Sequence, residues 1–240
     1  MKIEFDDGFS FGKGAFETIK VVDRKPLFLD AHLKRLNKSL DFFEIRKEID
    51  QEEIYSYIKN ENEANFALKI IVSDKNFILS SREDNYKNED KLFKLKISPV
   101  RRNSTSKMVY HKSLSYYENI LEHRWAVAKG FDSALFLNER GDVTETSFAN
   151  IFFVKDEEIF TPILSSGLLK GTMRDYLIKN YKINEKIISN DEIKGFDEVF
   201  ISNSLMGVRS VLAIDDKIFN QNKIKVKIQK DLEKIGFWDI

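Results

Sequence analysis

Polar side chains stand between short apolar runs throughout the stretch Gly141–Arg174. A carboxylate, Glu145, comes just before the apolar run Asn150–Val154, and Pro162 ends a further short strand because proline has no N–H to donate. Apolar residues within Gly171–Tyr181 then recur at helical spacing. A helix that begins at a Gly-Thr pair offers free backbone N–H groups to an anion. The stretch therefore predicts strands that carry a polar site, and a helix that can bind an anion.

The same stretch resembles the signature of a known enzyme family. In order along the chain it contains VTETSFANIFF, IFTP and GLLKGTMR. These segments resemble fold type IV pyridoxal-phosphate enzymes, a family of branched-chain aminotransferases, D-amino acid aminotransferases and aminodeoxychorismate lyases. Two further segments, FGKGAFET and HLKRL, resemble the family's N-terminal pattern, and EVFISNSLMGVRSV resembles its C-terminal pattern. The resemblance covers most of the chain, from about Asp7 to about Val211.

The resemblance implies a pyridoxal-phosphate cofactor, which needs a covalent lysine, an anion site and a partner for its ring nitrogen. It assigns the covalent bond to Lys112, because the segment YHKSLSYYENIL has the family's lysine position, ahead of the glutamate motif. It assigns Glu145 to the ring nitrogen. Tyr116 either reaches the ring oxygen of the cofactor or simply packs as an aromatic residue on its helix. Asn150 is expected to hydrogen-bond nearby backbone.

The phosphate site is assigned to several parts of the chain. At about 100° per residue, His32 and Arg35 share one flank of a predicted helix. From the residues alone, Arg35 is an ordinary arginine at the rim of the core. The resemblance makes it the partner of the cofactor phosphate, for which its planar fork is suited. The resemblance adds the backbone amides of Thr172 and Met173, Ser204, and the backbone amide of Leu205.

The segment SNSLMGV resembles the Asn-Ser-Leu pattern of the lyases better than the Thr/Ser-Gly-Thr-Ala pattern of the aminotransferases. The resemblance thus implies a lyase that converts 4-amino-4-deoxychorismate into 4-aminobenzoate and pyruvate for folate synthesis. One alternative is an aminotransferase acting on branched-chain or D-amino acids with 2-oxoglutarate. Another is a noncatalytic binding protein of the same fold, although the presence of Lys112 and Glu145 favours an enzyme.

Two positions depart from the family pattern near the expected substrate. Lys13 stands where FGDGxFET has an aspartate, and Asp74-Lys75 stands where Arg-Gly usually follows the strand FALKIIVS. The residues that bind the substrate carboxylate are therefore left open. The candidates are Arg82, Lys13 and Arg209, each with a structural or solvent-exposed role as the alternative.

The first domain, residues 1–100, is predicted to be a small α+β domain. One helix is predicted to begin after an Asp30 N-cap, since apolar residues follow at helical spacing, and a second to span Asp50–Lys59. Residues 101–107, RRNSTSK, are polar and aperiodic, which predicts an interdomain linker. Strands are predicted at Ala15–Val22, Phe66–Ser73, Phe77–Ser80 and Leu92–Ser98.

The second domain, residues 108–240, is predicted to be a larger barrel-like α+β domain that binds the cofactor, with the site at its junction with the first. It is predicted to open with a short strand, Met108–Lys112, followed by a helix that runs to Lys129 and is closed by Gly130. Strands dominate the rest. The fold class expected for the whole chain is therefore α+β, of the fold type IV pyridoxal-phosphate enzymes.

Composition limits the other classes of function. The 39 basic and 39 acidic residues of this 240-residue chain cancel, which argues against binding of nucleic acid or membranes through bulk charge. The absence of cysteine excludes disulfides and thiolate metal sites, and three scattered histidines argue against zinc. No apolar run resembles a signal peptide or a membrane span. These features predict a soluble cytoplasmic protein. The resemblance implies an enzyme for a small-molecule substrate and suggests a homodimer.

Overall fold

The computed structural model describes residues 3–84, 86 and 91–238. They divide into two compact units, of which the first has a four-stranded sheet and the second a curled nine-stranded sheet. This arrangement confirms the predicted α+β architecture with a small unit and a larger barrel-like unit. The described residues of the first unit are those up to 86, 111–116 and 236–238, and those of the second are 91–110 and 117–235.

The first sheet consists of four antiparallel strands, β1 (Gly14–Val22), β2 (Lys25–Pro26), β3 (Phe66–Ser73) and β4 (Phe77–Arg82). Their order is β2-β1-β3-β4. The bounds of β3 are those predicted from the sequence. Strands β1 and β3 are buried at almost every position, so even a side chain in the middle of β1 has little access to solvent.

The described residues of the first unit form three α-helices, α1 (Asp7–Phe11), α2 (Leu29–Phe42) and α3 (Gln51–Asn60). Helix α3 is shifted by one residue from the predicted Asp50–Lys59, because Asp50 is its N-cap and accepts a hydrogen bond from the N–H of Glu52 at 2.9 Å. The predicted N-cap of α2 is wrong. That helix follows Phe28, whose φ is 56°, and Asp30 lies in its first turn. A carboxylate there interacts favourably with the positive end of the helix dipole, which explains the misleading signal.

The short helix α1 was not predicted, and a buried carboxylate holds it in place. Burial raises the pKa of its N-cap Asp6, but the hydrogen bonds that Asp6 accepts lower that pKa to about 2. The donors are Ser73 Oγ at 2.6 Å, the N–H of Lys75 at 2.9 Å, the N–H of Phe9 at 3.1 Å and Asn76 Nδ2 at 2.9 Å. These bonds attach α1 to the turn between β3 and β4.

The segment that carries Lys112 pairs with the beginning of β1. The N–H of Phe16 donates to the Lys112 carbonyl at 2.9 Å, and the N–H of Leu114 donates to the carbonyl of Gly14 at 3.0 Å. This edge of β1 is available because β2 pairs only with the last two residues of the strand. The backbone of Lys112 is therefore fixed to a central strand of the first sheet.

The second sheet contains nine strands: β5 (Phe93–Arg102), β6 (Ser133–Asn138), β7 (Val143–Thr146), β8 (Asn150–Lys155), β9 (Glu158–Pro162), β10 (Ile183–Lys186), β11 (Glu198–Asn203), β12 (Gly207–Ile214) and β13 (Lys217–Ile218). Their order is β10-β9-β8-β11-β12-β5-β6-β7, with β13 attached to β12. Strand β5 is parallel to β6 and β12, and β9 is parallel to β10. The remaining pairs are antiparallel.

Three helices accompany this sheet, α4 (Tyr117–Ala128), α5 (Thr172–Asn180) and α6 (Lys223–Lys234). Gly130 follows α4 with a φ of 83°, as expected for a glycine that closes a helix. Within the described parts of the chain, no helix is long and apolar enough to cross a membrane. The same residues contain no cluster of three or more histidine, aspartate or glutamate side chains that could hold a metal ion.

Three predictions about this part of the chain are wrong. The second domain was predicted to begin at residue 108, but residues 111–116, which include Lys112, group with the first unit. Arg101 and Arg102 pair with β6, so they end strand β5 of the second unit, and the predicted domain boundary at residue 100 falls inside that strand. The predicted strand Met108–Lys112 is replaced by a 3-10 turn at Lys107–Tyr110. There the Ser106 hydroxyl accepts from the N–H of Met108 at 3.3 Å, a local bond that competes with strand pairing.

Candidate active site

A buried carboxylate organises the polar cluster of the first unit. Glu17, in the middle of β1, is fully buried, and both of its oxygens accept hydrogen bonds from Arg35 of α2. Arg35 Nε lies 2.6 Å from Oε1 and Arg35 Nη2 lies 2.5 Å from Oε2. This is the bidentate geometry of a strong charge-assisted pair. Burial raises the pKa of Glu17, but Arg35 and His32 lower it to about 2, so the carboxylate is ionised at neutral pH.

His32 completes this cluster. Its ring is fully buried, and its Nδ1 lies 2.7 Å from Glu17 Oε2. Burial lowers the pKa of His32 below its ordinary value of 6.5, although the neighbouring carboxylate acts in the opposite direction. A neutral imidazole that meets an ionised carboxylate must carry its proton on the nitrogen that faces it. We therefore assign the Nδ1–H tautomer, which donates to Glu17.

Glu17 was not among the residues singled out from the sequence. Its signal was present, because the mostly apolar strand AFETIKVV contains a single carboxylate, which a buried strand would enclose. A buried charge requires a partner. The structure shows that this partner is Arg35, so the two halves of the N-terminal pattern, FGKGAFET and HLKRL, meet in one ion pair.

Acid is expected to weaken the fold through Glu17. The folded pKa is about 2 and the ordinary value is 4.5, so the stabilisation is complete above pH 4.5 and is lost as the pH falls towards 2. The difference corresponds to on the order of 3 kcal/mol. We expect the unfolding free energy of the wild type, measured with urea between pH 5 and pH 2.5, to fall more steeply than that of Glu17→Gln. Equal slopes would show that Glu17 keeps an ordinary pKa.

Lys112 lies among aromatic rings in the same unit. Its Nζ is 4.3 Å from the centroid of the Phe16 ring and 5.0 Å from that of Tyr116, and these two rings meet edge to face at 5.2 Å. Phe16 precedes Glu17 in β1, so Lys112 and Arg35 contact adjacent residues of one strand. Burial is the main cause of the lowered pKa of His32, and the charge of Lys112 acts in the same direction. Tyr116 lies just before α4, and its ring packs against Phe16, a contact that leaves both of its predicted roles open.

A second contact fixes the segment on the other side of Lys112. The ring of His111 stacks on Phe42 at the end of α2, with centroids 4.1 Å apart and planes 11° from parallel. His111 Nδ1 also lies 3.3 Å from the Ser39 hydroxyl. Lys112 is thus held through its own backbone by β1 and through the preceding side chain by α2.

In the second unit, the loop before α5 holds Glu145. Glu145 Oε2 accepts from the N–H of Leu169 at 3.1 Å, and it lies 3.4 Å from Asn150 Nδ2. The Asn150 amide also donates to the Leu169 carbonyl at 2.9 Å, which confirms the backbone-binding role predicted for it. Glu145 is half-buried. The predicted carboxylate and asparagine are therefore brought together by the chain that leads into α5.

Helix α5 begins as the sequence predicts. Its N-cap is Gly171, whose lack of a side chain leaves the first-turn N–H groups without competition from that residue. Thr172 and Met173, whose amides were assigned to the phosphate, lie in this first turn and are buried. Arg174 Nη2 donates to the Pro162 carbonyl at 3.0 Å and pairs with Glu185 at 2.5 Å. The arginine of GLLKGTMR thus anchors α5 to β9 and β10.

Gly171→Ala is expected to destabilise the protein. A Cβ at Gly171 would lie only 2.1 Å from Asn150 Oδ1, so Asn150 would have to move away from Glu145 and the Leu169 carbonyl. Forced displacement of a packed group costs about 1–3 kcal/mol. A thermal unfolding experiment should therefore show a lower Tm, by about 2–4 °C for each kcal/mol in a chain of this size.

Gly195→Ala is the matched control for this substitution. A Cβ there would meet no atom within 4 Å, so the change is expected to leave the Tm nearly unaltered. Equal melting temperatures for Gly171→Ala and Gly195→Ala would contradict the close packing of Asn150 on Gly171.

The turn between β11 and β12 contains Ser204 and Leu205, two residues of the predicted phosphate site. Asn203 Oδ1 accepts from the N–H of Leu205 at 2.9 Å and from the N–H of Met206 at 2.8 Å. The Leu205 amide, which was assigned to the phosphate, is therefore engaged by the asparagine. Asn203 Nδ2 donates to the Phe148 carbonyl at 3.2 Å. The asparagine of SNSLMGV builds this turn and places Ser204 at its tip.

The three candidates for binding the substrate carboxylate lie in different surroundings. Lys13 pairs with Asp74 at 3.1 Å, so the two departures from the family pattern form a single ion pair. Arg82 is exposed at the end of β4 and donates to the Glu83 carbonyl at 3.1 Å. Arg209 is buried in β12 and donates to the Val208 carbonyl at 3.0 Å. The contact of Lys13 favours a structural role for that residue.

The comparisons with known proteins agree on one family. The family model described as Amino-transferase class IV matches residues 14–214. An aminodeoxychorismate lyase from Bacillus subtilis is 27% identical over 237 residues, which cover 88% of this chain and 81% of that protein.

Two solved structures extend the comparison to the fold. A Legionella pneumophila protein assigned as a 4-amino-4-deoxychorismate lyase is 28% identical, with a TM-score of 0.89 over 98% of this chain and 95% of that one. A branched-chain aminotransferase from Thermoproteus uzoniensis is 21% identical, with a TM-score of 0.86 over 96% of this chain and 88% of that one. The overall fold is therefore common to both activities.

Proposed function

Because the chain belongs to the Amino-transferase class IV family, we propose that it is a pyridoxal-phosphate-dependent lyase that converts 4-amino-4-deoxychorismate into 4-aminobenzoate and pyruvate. The turn between β11 and β12 is the observation that favours a lyase over an aminotransferase. Its Asn-Ser-Leu sequence resembles the lyases of the family, and the Asn203 side chain forms the turn by accepting two backbone N–H groups. The Bacillus subtilis relative, which carries the same activity in its name, supports the proposal.

The residues present fit this cofactor. In the first unit, Arg35 would bind the phosphate with its planar fork, and Lys112 lies half-buried beside the rings of Phe16 and Tyr116. In the second unit, the first turn of α5 would supply backbone N–H groups to the phosphate. Glu145, held by the N–H of Leu169, would pair with the ring nitrogen.

The proposed chemistry divides among these side chains. Pyridoxal phosphate, when bound, withdraws electrons from the carbon that bears the substrate's amine. Lys112 Nζ would first bind the cofactor covalently and, once displaced by the substrate's amine, would take the proton from that carbon. The negative charge of Glu145 would keep the ring nitrogen protonated. The enolpyruvyl group would leave as enolpyruvate, which takes up one proton, equal to the one removed, and becomes pyruvate. The ring would be left as 4-aminobenzoate, and its aromaticity drives the reaction.

An aminotransferase is the alternative within the family. It would use the same first proton removal by Lys112, but would then return a proton to the cofactor instead of expelling a group from the substrate. Its support is the similarity to the branched-chain aminotransferases, one of which, from Arabidopsis thaliana, is 37% identical over 114 residues. Those residues cover 44% of this chain and 30% of that protein. A probable branched-chain aminotransferase from Thermotoga maritima is 26% identical over a longer match, which covers 85% of this chain and 78% of that protein.

A product assay separates the two activities. Purified protein with pyridoxal phosphate is given freshly generated 4-amino-4-deoxychorismate, and a parallel series receives branched-chain and D-amino acids with 2-oxoglutarate. The lyase predicts equal amounts of 4-aminobenzoate and pyruvate, and no glutamate in the parallel series. Absence of 4-aminobenzoate together with accumulation of glutamate would reject the lyase in favour of the aminotransferase.

We also propose that the chain acts as a homodimer. Large apolar side chains near the N-terminus are exposed, including Phe9 at 75% and Phe11 at 79%, and a second copy could cover them. Analytical ultracentrifugation should then give twice the chain mass of 28.1 kDa. A species with the mass of one chain at micromolar concentration would contradict the proposal.

A further inference from the structure

The pair formed by Glu17 and His32 controls the direction of the Arg35 guanidinium. Arg35 uses one edge of its planar fork, Nε with Nη2, to bind the two oxygens of Glu17. The plane and the direction of the fork are then set by the carboxylate. Because Glu17 lies in a central strand and is fully buried, the carboxylate has no solvent into which it could rotate.

His32 fixes the carboxylate in turn. Its Nδ1–H donates to Oε2, the oxygen that also accepts from Arg35 Nη2. An ionised carboxylate has room for several donors, and each one restricts its rotation. His32 lies one turn before Arg35 on α2, so both donors approach Glu17 from the same helix. The arrangement therefore has three fully or largely buried members, in which the histidine orients the carboxylate and the carboxylate orients the arginine.

We propose that Glu17 and His32 are positioning residues that aim Arg35 at the phosphate of the cofactor. The inference rests on the proposed function, because it takes pyridoxal phosphate as the ligand. Neither residue touches the cofactor in this scheme. Their contribution is to hold the guanidinium before the phosphate arrives, so that binding does not have to order a flexible side chain. Their loss should weaken recognition of the phosphate group and leave recognition of the ring unaltered.

The test compares pyridoxal phosphate with pyridoxal, which lacks the phosphate. The apparent Kd of each is measured by absorbance titration of the cofactor-free protein. Glu17→Gln is expected to raise the apparent Kd of pyridoxal phosphate by about 10- to 100-fold, the range for a lost charge-assisted contact. The apparent Kd of pyridoxal is expected to change by less than about twofold. His32→Leu should likewise raise the Kd of pyridoxal phosphate and leave the Kd of pyridoxal nearly unchanged. Asp30→Asn, an exposed carboxylate on the same helix, is the control and should change neither Kd.

His32→Asn distinguishes positioning from simple packing. The amide nitrogen of asparagine can stand where Nδ1 stands and donate to Glu17, whereas leucine fills the space without a donor. We expect His32→Asn to restore the Kd of pyridoxal phosphate to within about threefold of the wild type. The proposal is overturned if His32→Asn binds pyridoxal phosphate as weakly as His32→Leu does. It is also overturned if Glu17→Gln and His32→Leu raise the Kd of both ligands equally. Should Glu17→Gln fail to fold, the two His32 variants decide the question.

Arg35→Ala separates this proposal from the function on which it rests. If the wild type binds no pyridoxal phosphate, or if Arg35→Ala leaves the preference for pyridoxal phosphate over pyridoxal unchanged, the cofactor assignment itself fails and the positioning proposal falls with it. If Arg35→Ala abolishes the preference while Glu17→Gln and His32→Leu retain it, only the positioning roles are rejected.

Discussion

Lys112→Ala is expected to abolish formation of 4-aminobenzoate, with kcat lowered by at least about 10⁴-fold. The amine of Lys112 has two proposed tasks, covalent binding of the cofactor and removal of a proton from the substrate, and alanine performs neither. The measurement is the rate of 4-aminobenzoate release at saturating pyridoxal phosphate. The substitution removes a half-buried side chain whose backbone is held by β1, so the fold is expected to persist.

Lys69→Ala is the matched comparison for this prediction. Lys69 Nζ lies 4.9 Å from the same Phe16 ring that Lys112 faces, and burial together with the charge of Arg82 lowers its pKa. Lys69 is thus a second lysine near this ring, and its amine loses its proton more readily than that of an ordinary lysine. If Lys69→Ala eliminates activity and Lys112→Ala preserves it, the assignment of the covalent lysine is wrong.

Glu145→Gln is expected to lower kcat by about 10²- to 10³-fold with little change in Tm. In the wild type, the N–H of Leu169 donates to Glu145 Oε2 at 3.1 Å. Glutamine has the shape of glutamate and can still accept this bond, so the loop that leads into α5 should keep its place. What is lost is the negative charge that would keep the ring nitrogen of the cofactor protonated. The measurement is the rate of product formation at saturating substrate and cofactor, together with a thermal melt of the same preparation.

Glu158→Gln serves as the control, because Glu158 is an exposed carboxylate on β9 of the same sheet. It should turn over substrate as fast as the wild type. A Glu145→Gln variant with full activity would contradict the role of Glu145 at the ring nitrogen. A variant with low activity and a strongly lowered Tm would assign Glu145 to the structure of the loop instead.

The sequence was sufficient to predict the bounds of an element where the signal lies within the element itself. Strand β3 has the predicted bounds because most of its residues are apolar. Helix α3 lies within one residue of the predicted Asp50–Lys59, and its N-cap Asp50 needs only the N–H of Glu52 two residues later. The motifs also led to the family, which the match over residues 14–214 confirms. Helix α1 was missed because five residues are too few for a helical period to be recognised.

Several contacts that shape the site could not be read from the sequence, because the partner of a polar side chain is set by the folded backbone. Lys13 and Asp74 were recognised as separate departures from the pattern, yet they are one ion pair across 61 positions. The Leu205 amide was assigned to the phosphate, but the neighbouring Asn203 side chain engages it. Glu17 was not predicted to be a site residue, although it is the group to which Arg35 binds. In each case one side chain determines what its neighbour can bind.

The most direct test of the account is to find which lysine binds the cofactor. The protein is loaded with pyridoxal phosphate, reduced with borohydride to make the covalent bond permanent, digested, and analysed by peptide mass spectrometry. The account predicts one modified peptide, with the added mass on Lys112. Modification of a different lysine, or an unmodified Lys112 peptide after loading at saturating cofactor, would contradict it.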